Sequence, residues 1–418
     1  MNKFLPIINE NKKSFLGIPV YRKIYYENFV KTYICGIKIK KINIPQKSNT
    51  AINKKSNTEN VKPIGHADRW YNLDHSKLNV VIKFSGGLGD ILINLNYVYL
   101  LIKKYKQPKI KFYLCGSLPI LNFLIKNNEN IEQIYADNDL REDSHAFDVL
   151  IKLVRFPQIK WANKKKIAEY SEEFLDYILS CERFMILHPR FFECGRTCDG
   201  QVNMLAKLYG KNRVQTPDII NILNVKDINF LLQIPQNKNL YKDYGISSSK
   251  YITIHRGNDI KNKANCVKLW PTGYYGILTK FLKEKYPEYQ IVQLGVSKER
   301  CPDIENVDLN LVEKTTLDDV AFLLKHSALH IDCEGGFAHL RHAIHGGKTV
   351  VLFGPTDVSY YGYSENINLR TDVCRGCEWV REKWLESCTK GMKNPACMYS
   401  LTPEFVFSQI VKSGVLNG

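Results

Sequence analysis

From residue 79 onward, short apolar runs of strand length alternate with amphipathic stretches of helix length. Alternation at this spacing predicts right-handed βαβ units and parallel sheets, so the expected fold class is α/β with two doubly wound halves. The first series has strands at 80–84, 109–114, 131–135 and 147–153 with helices at 91–104, 117–126, 168–179 and 201–208. The second has strands at 251–255, 290–294, 328–332 and 349–353 with helices at 273–285 and 337–345.

These series predict four segments. They are a basic N-terminal arm and linker at 1–77, a first Rossmann-like half at 78–240, a second Rossmann-like half at 241–400 and a terminal helix at 401–418. The last helix should begin with Thr402 as its N-cap and Pro403 at its first position. Ligands of such sheets bind beyond the carboxyl ends of the strands, so we expect a cleft between two facing Rossmann-like halves.

Charge is concentrated at the start of the chain. The first 66 residues hold thirteen basic and three acidic side chains, a net +10 of the chain's +17, and residues 44–66 are polar and linker-like. Such an arm can contact an anionic membrane surface, or it can be a solvated tail. Because no secretory signal and no apolar run of membrane-spanning length is present, we expect a cytoplasmic protein, peripheral at the inner face of the inner membrane if the arm binds lipid.

A glycine-rich turn follows the first predicted strand. Its glycines, Gly86, Gly87 and Gly89, do not fit the dinucleotide-binding fingerprint and are also compatible with a simple tight turn. Asp90 comes next, at the start of a predicted helix. It is placed to act as a general base for an incoming hydroxyl, or alternatively to cap the helix.

Two basic residues follow the first strand of the second half. Arg256 and Lys268 can neutralise a diphosphate leaving group, and the Trp-Pro pair after Lys268 indicates the start of a helix. The alternative for Lys268 is an ordinary surface lysine. Glu299, after the strand at 290–294, is placed to meet a nucleoside, although exposed Lys-Glu-Arg triplets are usually solvated.

The segment after the strand at 328–332 combines an acid with a helix start. Glu334 can accept hydrogen bonds from sugar hydroxyls, and Asp332 is a rival for this role. Gly335 and Gly336 open a predicted helix, whose N-terminal N–H groups favour phosphate. His339 lies one helical turn further, where a core histidine bonded to the backbone is the alternative.

Taken together, these motifs resemble the heptosyltransferase-like glycosyltransferases of family 9, which build bacterial lipopolysaccharide. The resemblance covers about residues 78–410. It rests on the Gly-Asp pair at 89–90, Lys-x-Trp-Pro at 268–271, acid-x-Gly-x-x-His-Leu at 334–340 and Phe-Gly-Pro-Thr at 353–356.

The resemblance implies the two-domain GT-B fold and inverting sugar transfer without a catalytic metal or other required cofactor. It implies that Asp90 is the catalytic base, that Lys268 contacts the donor phosphate and that the donor is a nucleotide-diphosphate-sugar. Glu334 stands where heptosyltransferases usually have Asp, so the donor need not be ADP-heptose, although ADP-heptose is one possible donor. The acceptor, whether glycan, lipid-linked or protein, stays open because the basic arm is not part of the core family.

Four cysteines near the C-terminus form a C-x2-C-x10-C-x8-C array that can hold a structural iron or zinc ion. They are Cys374, Cys377, Cys388 and Cys397. Relatives that glycosylate autotransporter proteins carry similar cysteine fingers with iron, so a protein O-glycosyltransferase is the alternative function. A nucleic-acid-binding module is a second alternative, which we do not expect because the lysines are segregated from the cysteines. An inactive α/β scaffold is disfavoured by the retained acid and base residues.

Overall fold

The structure is a computed structural model that divides into two compact units, Met1–Pro63 and Ile64–Gly418. It describes residues 9–15, 18–25, 29–34, 37–43, 73–126, 131, 133–136, 147–193, 198–229, 232, 234, 239–247, 250–257, 266–374, 376–381 and 383–417.

The first unit contains a four-stranded antiparallel sheet in which each strand pairs with the next along the chain. The sequence predicted a basic arm in this region but no strands. Asn9 lies opposite Tyr25, and Phe29 lies opposite Asn43. The strands are β1 (Asn9–Phe15), β2 (Ile18–Tyr25), β3 (Phe29–Ile34) and β4 (Ile37–Asn43).

The second unit begins with a five-stranded sheet in the order β7-β6-β5-β8-β9. Its strands are β5 (Leu78–Phe84), β6 (Ile110–Gly116), β7 (Gln133–Ala136), β8 (Val149–Leu153) and β9 (Pro157–Ala162). The sequence predicted the first four, which are parallel. The fifth was missed; it returns antiparallel to β8 after a short connection.

The following half is a six-stranded parallel sheet in the order β12-β11-β10-β13-β14-β15. Its strands are β10 (Tyr251–His255), β11 (Gln290–Leu294), β12 (Leu309–Asn310), β13 (Leu329–Cys333), β14 (Thr349–Leu352) and β15 (Ile367–Leu369). Strands β10, β13 and β14 are buried throughout, as expected of parallel strands covered on both faces. The prediction of two doubly wound halves is confirmed.

Thirteen α-helices are described along the chain, and none of them is long and apolar enough to cross a membrane. They are α1 (Leu88–Tyr105), α2 (Leu118–Leu124), α3 (Lys164–Tyr170), α4 (Glu172–Leu187), α5 (Pro189–Glu193), α6 (Cys198–Leu208), α7 (Leu240–Asp243), α8 (Thr272–Lys285), α9 (Leu317–His326), α10 (Gly336–Ala343), α11 (Val358–Tyr361), α12 (Ala396–Tyr399) and α13 (Pro403–Ser413).

One predicted helix is two helices in the structure. The residues predicted as a helix at 168–179 are divided at Ser171, whose φ of −162° is extended. The Ser171 side chain accepts a hydrogen bond from the Phe174 N–H and so caps α4. Periodicity continues across this break because both helices present apolar residues to the same core.

The terminal helix is as predicted. Thr402 is its N-cap, with Oγ1 accepting a hydrogen bond from the Phe405 N–H at 3.3 Å, and Pro403 is its first residue. Val406 and Ile410 on this helix are fully buried in the core of the second half. The helix therefore belongs to that half's core.

Candidate active site

The turn after β5 holds Asp90 beyond the carboxyl end of the first sheet. Gly86 has a φ of 110°, in the left-handed region, and a β-carbon there would lie 2.6 Å from the Asp90 side chain. This position therefore requires glycine. Gly87 is the N-cap of α1 and Asp90 lies in the first turn, so the alternative interpretation of Asp90 as the helix cap is wrong.

Two arginines bind the Asp90 carboxylate. Oδ1 lies 2.5 Å from Arg155 Nη1 and 3.0 Å from Arg213 Nη2. Both arginines are buried, whereas the Asp90 side chain is 35% exposed. Burial alone would raise the pKa of Asp90, but the charges of Arg155 and Arg213 outweigh it and hold that pKa well below its usual range. Asp90 is thus ionised at any ordinary pH.

Sequence reasoning missed both arginines. Arg155 comes two residues after β8, so its place at a strand's carboxyl end was a usable signal. Arg213 lies in a loop after α6, and nothing in the local pattern marks it. Its backbone N–H donates to the Tyr360 carbonyl at 2.8 Å, which links the two halves, so only the tertiary structure reveals its position.

Lys268 and Glu334 form a buried ion pair, with Nζ 2.5 Å from Oε2. The Lys268 side chain is only 13% exposed, so it is not an ordinary surface lysine. Burial would raise the pKa of Glu334, but Lys268 and His339 lower it to about 2. Burial would lower the pKa of Lys268, but Glu334 raises it, so both partners are charged.

His339 completes this cluster. Its Nε2 lies 3.6 Å from Glu334 Oε1, and its Nδ1 lies 2.7 Å from the Tyr363 hydroxyl. The ring therefore interacts with side chains of the site, and not with the backbone as in the alternative interpretation. Since Nδ1 and Nε2 both face hydrogen-bonding groups, the orientation of the ring is fixed.

The two halves meet at the N-termini of α1 and α10. A β-carbon at Gly89 would lie 2.7 Å from His339 Cδ2 and 3.2 Å from Gly336 Cα. A β-carbon at Gly336 would in turn lie 3.3 Å from the Gly89 nitrogen. Gly335 is the N-cap of α10. The predicted glycine positions on both halves therefore face each other at the junction.

The remaining predicted residues of the second half are placed differently. Arg256 is buried, its Nε donates to the Trp270 carbonyl at 3.4 Å, and its Nη1 has no hydrogen-bond partner among the described residues. Arg256 therefore retains a donor for a ligand. Glu299 is exposed on the turn after β11, and none of the described hydrogen bonds or ion pairs joins it to the Lys268 cluster.

Asp332, the alternative to Glu334 as the acid of the site, takes part in a buried network of side-chain contacts. Its Oδ1 lies 2.9 Å from His255 Nδ1, and His255 Nε2 lies 3.6 Å from Cys301 Sγ. All three side chains are buried. Burial would lower the pKa of His255, but Asp332 and Cys301 raise it to about 10. Asp332 therefore holds an imidazolium inside the second half, and Glu334 is the acid at the junction.

The four cysteines of the array share one loop, which we call the cysteine-rich loop (residues 374–397). Burial raises the pKa of Cys377 and Cys397, and neighbouring thiols of the array raise it further. The thiols are therefore within electrostatic range of one another. In the part of the chain that the structure describes, however, no group of three or more Cys, His, Asp or Glu has the arrangement of a metal site.

The cysteine-rich loop also carries a buried acid that sequence reasoning missed. Glu378 is 8% exposed. Burial and the charge of Glu334 raise its pKa to about 7, against the opposing effect of Lys207. The only available signal was its place within the array, where acids are common on solvated loops.

The second unit thus consists of two facing doubly wound halves, which is the GT-B arrangement that the sequence resemblance predicted. The sequence itself matches no protein-family model and no curated protein.

Solved structures agree with this fold. A family 9 glycosyl transferase from Veillonella parvula is 16% identical with a TM-score of 0.50, covering 83% of this chain and 99% of its own. The iron-containing dodecameric glycosyltransferase TibC from enterotoxigenic E. coli is 14% identical with a TM-score of 0.51, covering 93% of this chain and 82% of its own. The iron-containing heptosyltransferase TibC in complex with ADP-D-beta-D-heptose has a TM-score of 0.52 at 14% identity and the same coverage. Such low identities show a shared fold only.

Proposed function

We propose that this chain is an inverting glycosyltransferase that moves a sugar from a nucleotide-diphosphate donor to an acceptor hydroxyl without a catalytic metal. One observation carries the proposal. The turn holding Asp90 lies against the helix start that follows Glu334, with the Gly89 β-carbon position 2.7 Å from His339. A hydroxyl-activating acid and a cluster suited to a sugar diphosphate are thereby brought to one junction.

In this proposal the acceptor oxygen attacks the anomeric carbon while the bond to the diphosphate breaks. Lys268 and Arg256, with the N–H groups at Gly335 and Gly336, neutralise the charge that develops on the leaving group. Because Lys268 is paired with Glu334 in the structure, we expect the lysine to turn from Glu334 to the diphosphate when donor binds. Glu334 is then available to sugar hydroxyls.

Asp90 takes the acceptor proton. Arg155 and Arg213 make its carboxylate a weak base, but they also keep it ionised and fixed. A weak base suffices when the proton moves late, because the attacking oxygen becomes strongly acidic once its bond to carbon forms. The arginines also position the carboxylate for the hydroxyl it must contact.

A donor screen tests the proposal. Nucleoside-diphosphate release is measured with ADP-, GDP- and UDP-sugars, including ADP-heptose, each together with glycan, lipid-linked and protein acceptors. The proteins compared are wild type, Asp90→Asn and the control Asp303→Asn, an exposed aspartate bonded to Asn310. We expect release with one donor family, loss in Asp90→Asn and full activity in the control. Product NMR tests inversion, and activity in excess EDTA tests metal independence. No release with any donor contradicts the proposal.

A second candidate function differs in its acceptor. It is that of a protein O-glycosyltransferase with a structural iron or zinc ion. The neighbouring thiols of the cysteine-rich loop and the likeness to iron-containing TibC favour it. The described arrangement of the cysteines is not yet that of a metal site, so the metal stays a prediction. Elemental analysis of protein purified without added metal, for wild type and Cys374→Ser, tests it. Less than a tenth of an equivalent of iron or zinc would reject it.

We also propose that the basic arm contacts anionic membrane, which suits a lipid-linked acceptor. The net charge of +10 in the first 66 residues supports this. We expect cosedimentation with vesicles of phosphatidylglycerol but not phosphatidylcholine, with the difference lost at high salt.

A further inference from the structure

The cysteine-rich loop brings Glu378 to the junction between the two halves. The Glu378 N–H donates to the Pro355 carbonyl at 3.1 Å, which fixes the loop against the turn after β14. The next residue, Trp379, has a φ of 58° and lies on Gly200 of the first half, where a β-carbon would overlap the indole. The loop is therefore held on both sides of the junction, and Glu378 lies between these two contacts.

Among the residues that the structure describes, none forms a hydrogen bond with the Glu378 carboxyl group. The residue is 92% buried, since its exposed fraction is 8%, and neither carboxylate oxygen has a partner among the described residues. Tyr361 is a close neighbour, but its hydroxyl does not meet hydrogen-bond geometry. A buried carboxylate without hydrogen bonds is costly, so its retention in a cleft points to a ligand that donates to it.

The charges around Glu378 come from both halves. Glu334 and Lys268 of the donor cluster interact electrostatically with it, and so do Lys207 and Arg155 of the first half. Arg155 also binds Asp90. Glu378 is therefore within electrostatic range of both the Lys268–Glu334 pair and the arginine that binds Asp90. Our proposed function places the transferred sugar between these two groups.

We propose that Glu378 is a sugar-binding residue whose carboxylate accepts hydrogen bonds from hydroxyls of the transferred sugar. The proposal rests on the function proposed above and extends it to the sugar subsite. A sugar offers adjacent hydroxyl donors, which suit a buried carboxyl group that has no hydrogen-bond partner among the described residues. On this view the cysteine-rich loop serves to carry a substrate-binding residue into the cleft.

The test separates sugar binding from nucleotide binding. Dissociation constants are measured by calorimetry for ADP-, GDP- or UDP-glucose, or ADP-heptose, whichever binds wild type best, and for the matching nucleoside diphosphate. In Glu378→Ala we expect nucleotide-sugar binding to weaken about 10-fold or more, the effect of losing a hydrogen bond to a charged group. Binding of the nucleoside diphosphate should change less than twofold.

Two further variants complete the design. Glu378→Gln keeps the side-chain volume and should show the same selective loss, which excludes a packing effect. Glu386→Ala removes an exposed glutamate of the same loop and should bind like wild type. If Glu378→Ala binds nucleotide-sugar as wild type does, or loses nucleoside diphosphate equally, the role of Glu378 is refuted while sugar transfer stands. If wild type binds no nucleotide-sugar, both proposals fail.

Discussion

The imidazole of His339 lies directly against Gly89, so that a β-carbon at Gly89 would be 2.7 Å from its Cδ2. His339 belongs to the second half and Gly89 to the first. This contact sets the distance between the acid at one βα turn and the ion pair at the other. It is also a contact that one substitution can remove.

We expect Gly89→Ala to separate the halves. The new methyl group would meet His339 at 2.7 Å and the Gly336 backbone at 3.2 Å, and the backbone cannot yield cheaply. The expected cost is about 1–3 kcal/mol of the free energy of unfolding, with a loss of at least tenfold in activity. Gly273→Ala is the matched control, because nothing lies within 4 Å of a β-carbon there. Equal behaviour of the two variants in urea melts would contradict the prediction.

The stability of the protein should depend on Lys268 and Glu334 together, whereas donor affinity should depend on Lys268. Lys268→Met leaves Glu334 buried with only His339 beside it, so we expect a loss of about 3 kcal/mol in stability. The double variant Lys268→Met/Glu334→Gln should regain part of that stability but none of the donor affinity. Thermal melts and donor KM values measure both quantities. If the double variant recovered donor affinity, Lys268 would not be a phosphate-binding residue.

The His255–Asp332 pair predicts a loss of stability in alkali. The folded pKa of His255, about 10, is raised above its unfolded value, so its contribution is complete below about pH 6.5 and is lost as the pH rises through 10. The expected slope reaches about 1.4 kcal/mol per pH unit.

The Cys301 thiol must be replaced before this measurement is made. The pKa of its thiol is lowered, with burial opposing and His255 favouring the thiolate, so its contribution to stability changes with pH in the opposite direction. The comparison is therefore Cys301→Ser against Cys301→Ser/His255→Gln by urea melts between pH 6 and 10. Parallel stability curves would show that His255 is neutral in the folded protein.

Arg213 should control the acid limb of the activity profile. Because Arg155 and Arg213 depress the pKa of Asp90, wild type should keep its activity down to the lowest pH at which it is folded. Arg213→Met removes one charge, so the acid limb of kcat should move up toward the ordinary aspartate value, about 3.9. Arg213→Lys keeps the charge and should move it less. An unchanged limb in Arg213→Met would mean that Asp90 is not the proton acceptor.

The alternation of strands and helices after residue 79 was enough to predict two doubly wound halves, because their parallel strands are buried on both faces and carry continuous apolar runs. The antiparallel strand β9 was not predicted. The sequence also singled out glycine positions that the structure explains. Gly86 is required by its left-handed backbone, and Gly89 by the close approach of the other half. The capping residues of the terminal helix were predicted because Ser, Thr and Pro act locally. The helix caps and the turn at Gly86 depend on residues that are close in the sequence, whereas Gly89 is explained by a contact with the other half.

Long-range partners were decided only by the tertiary structure. Nothing near Arg213 in the sequence indicates that it binds Asp90, which is 123 positions earlier. Nothing in the cysteine array indicates that Glu378 is buried at the junction while Glu299 is exposed. Charge and hydrogen bonding depend on through-space distance, and the sequence states only distance along the chain. The sequence thus determined the two halves and their turns, while folding determined which charges meet between them.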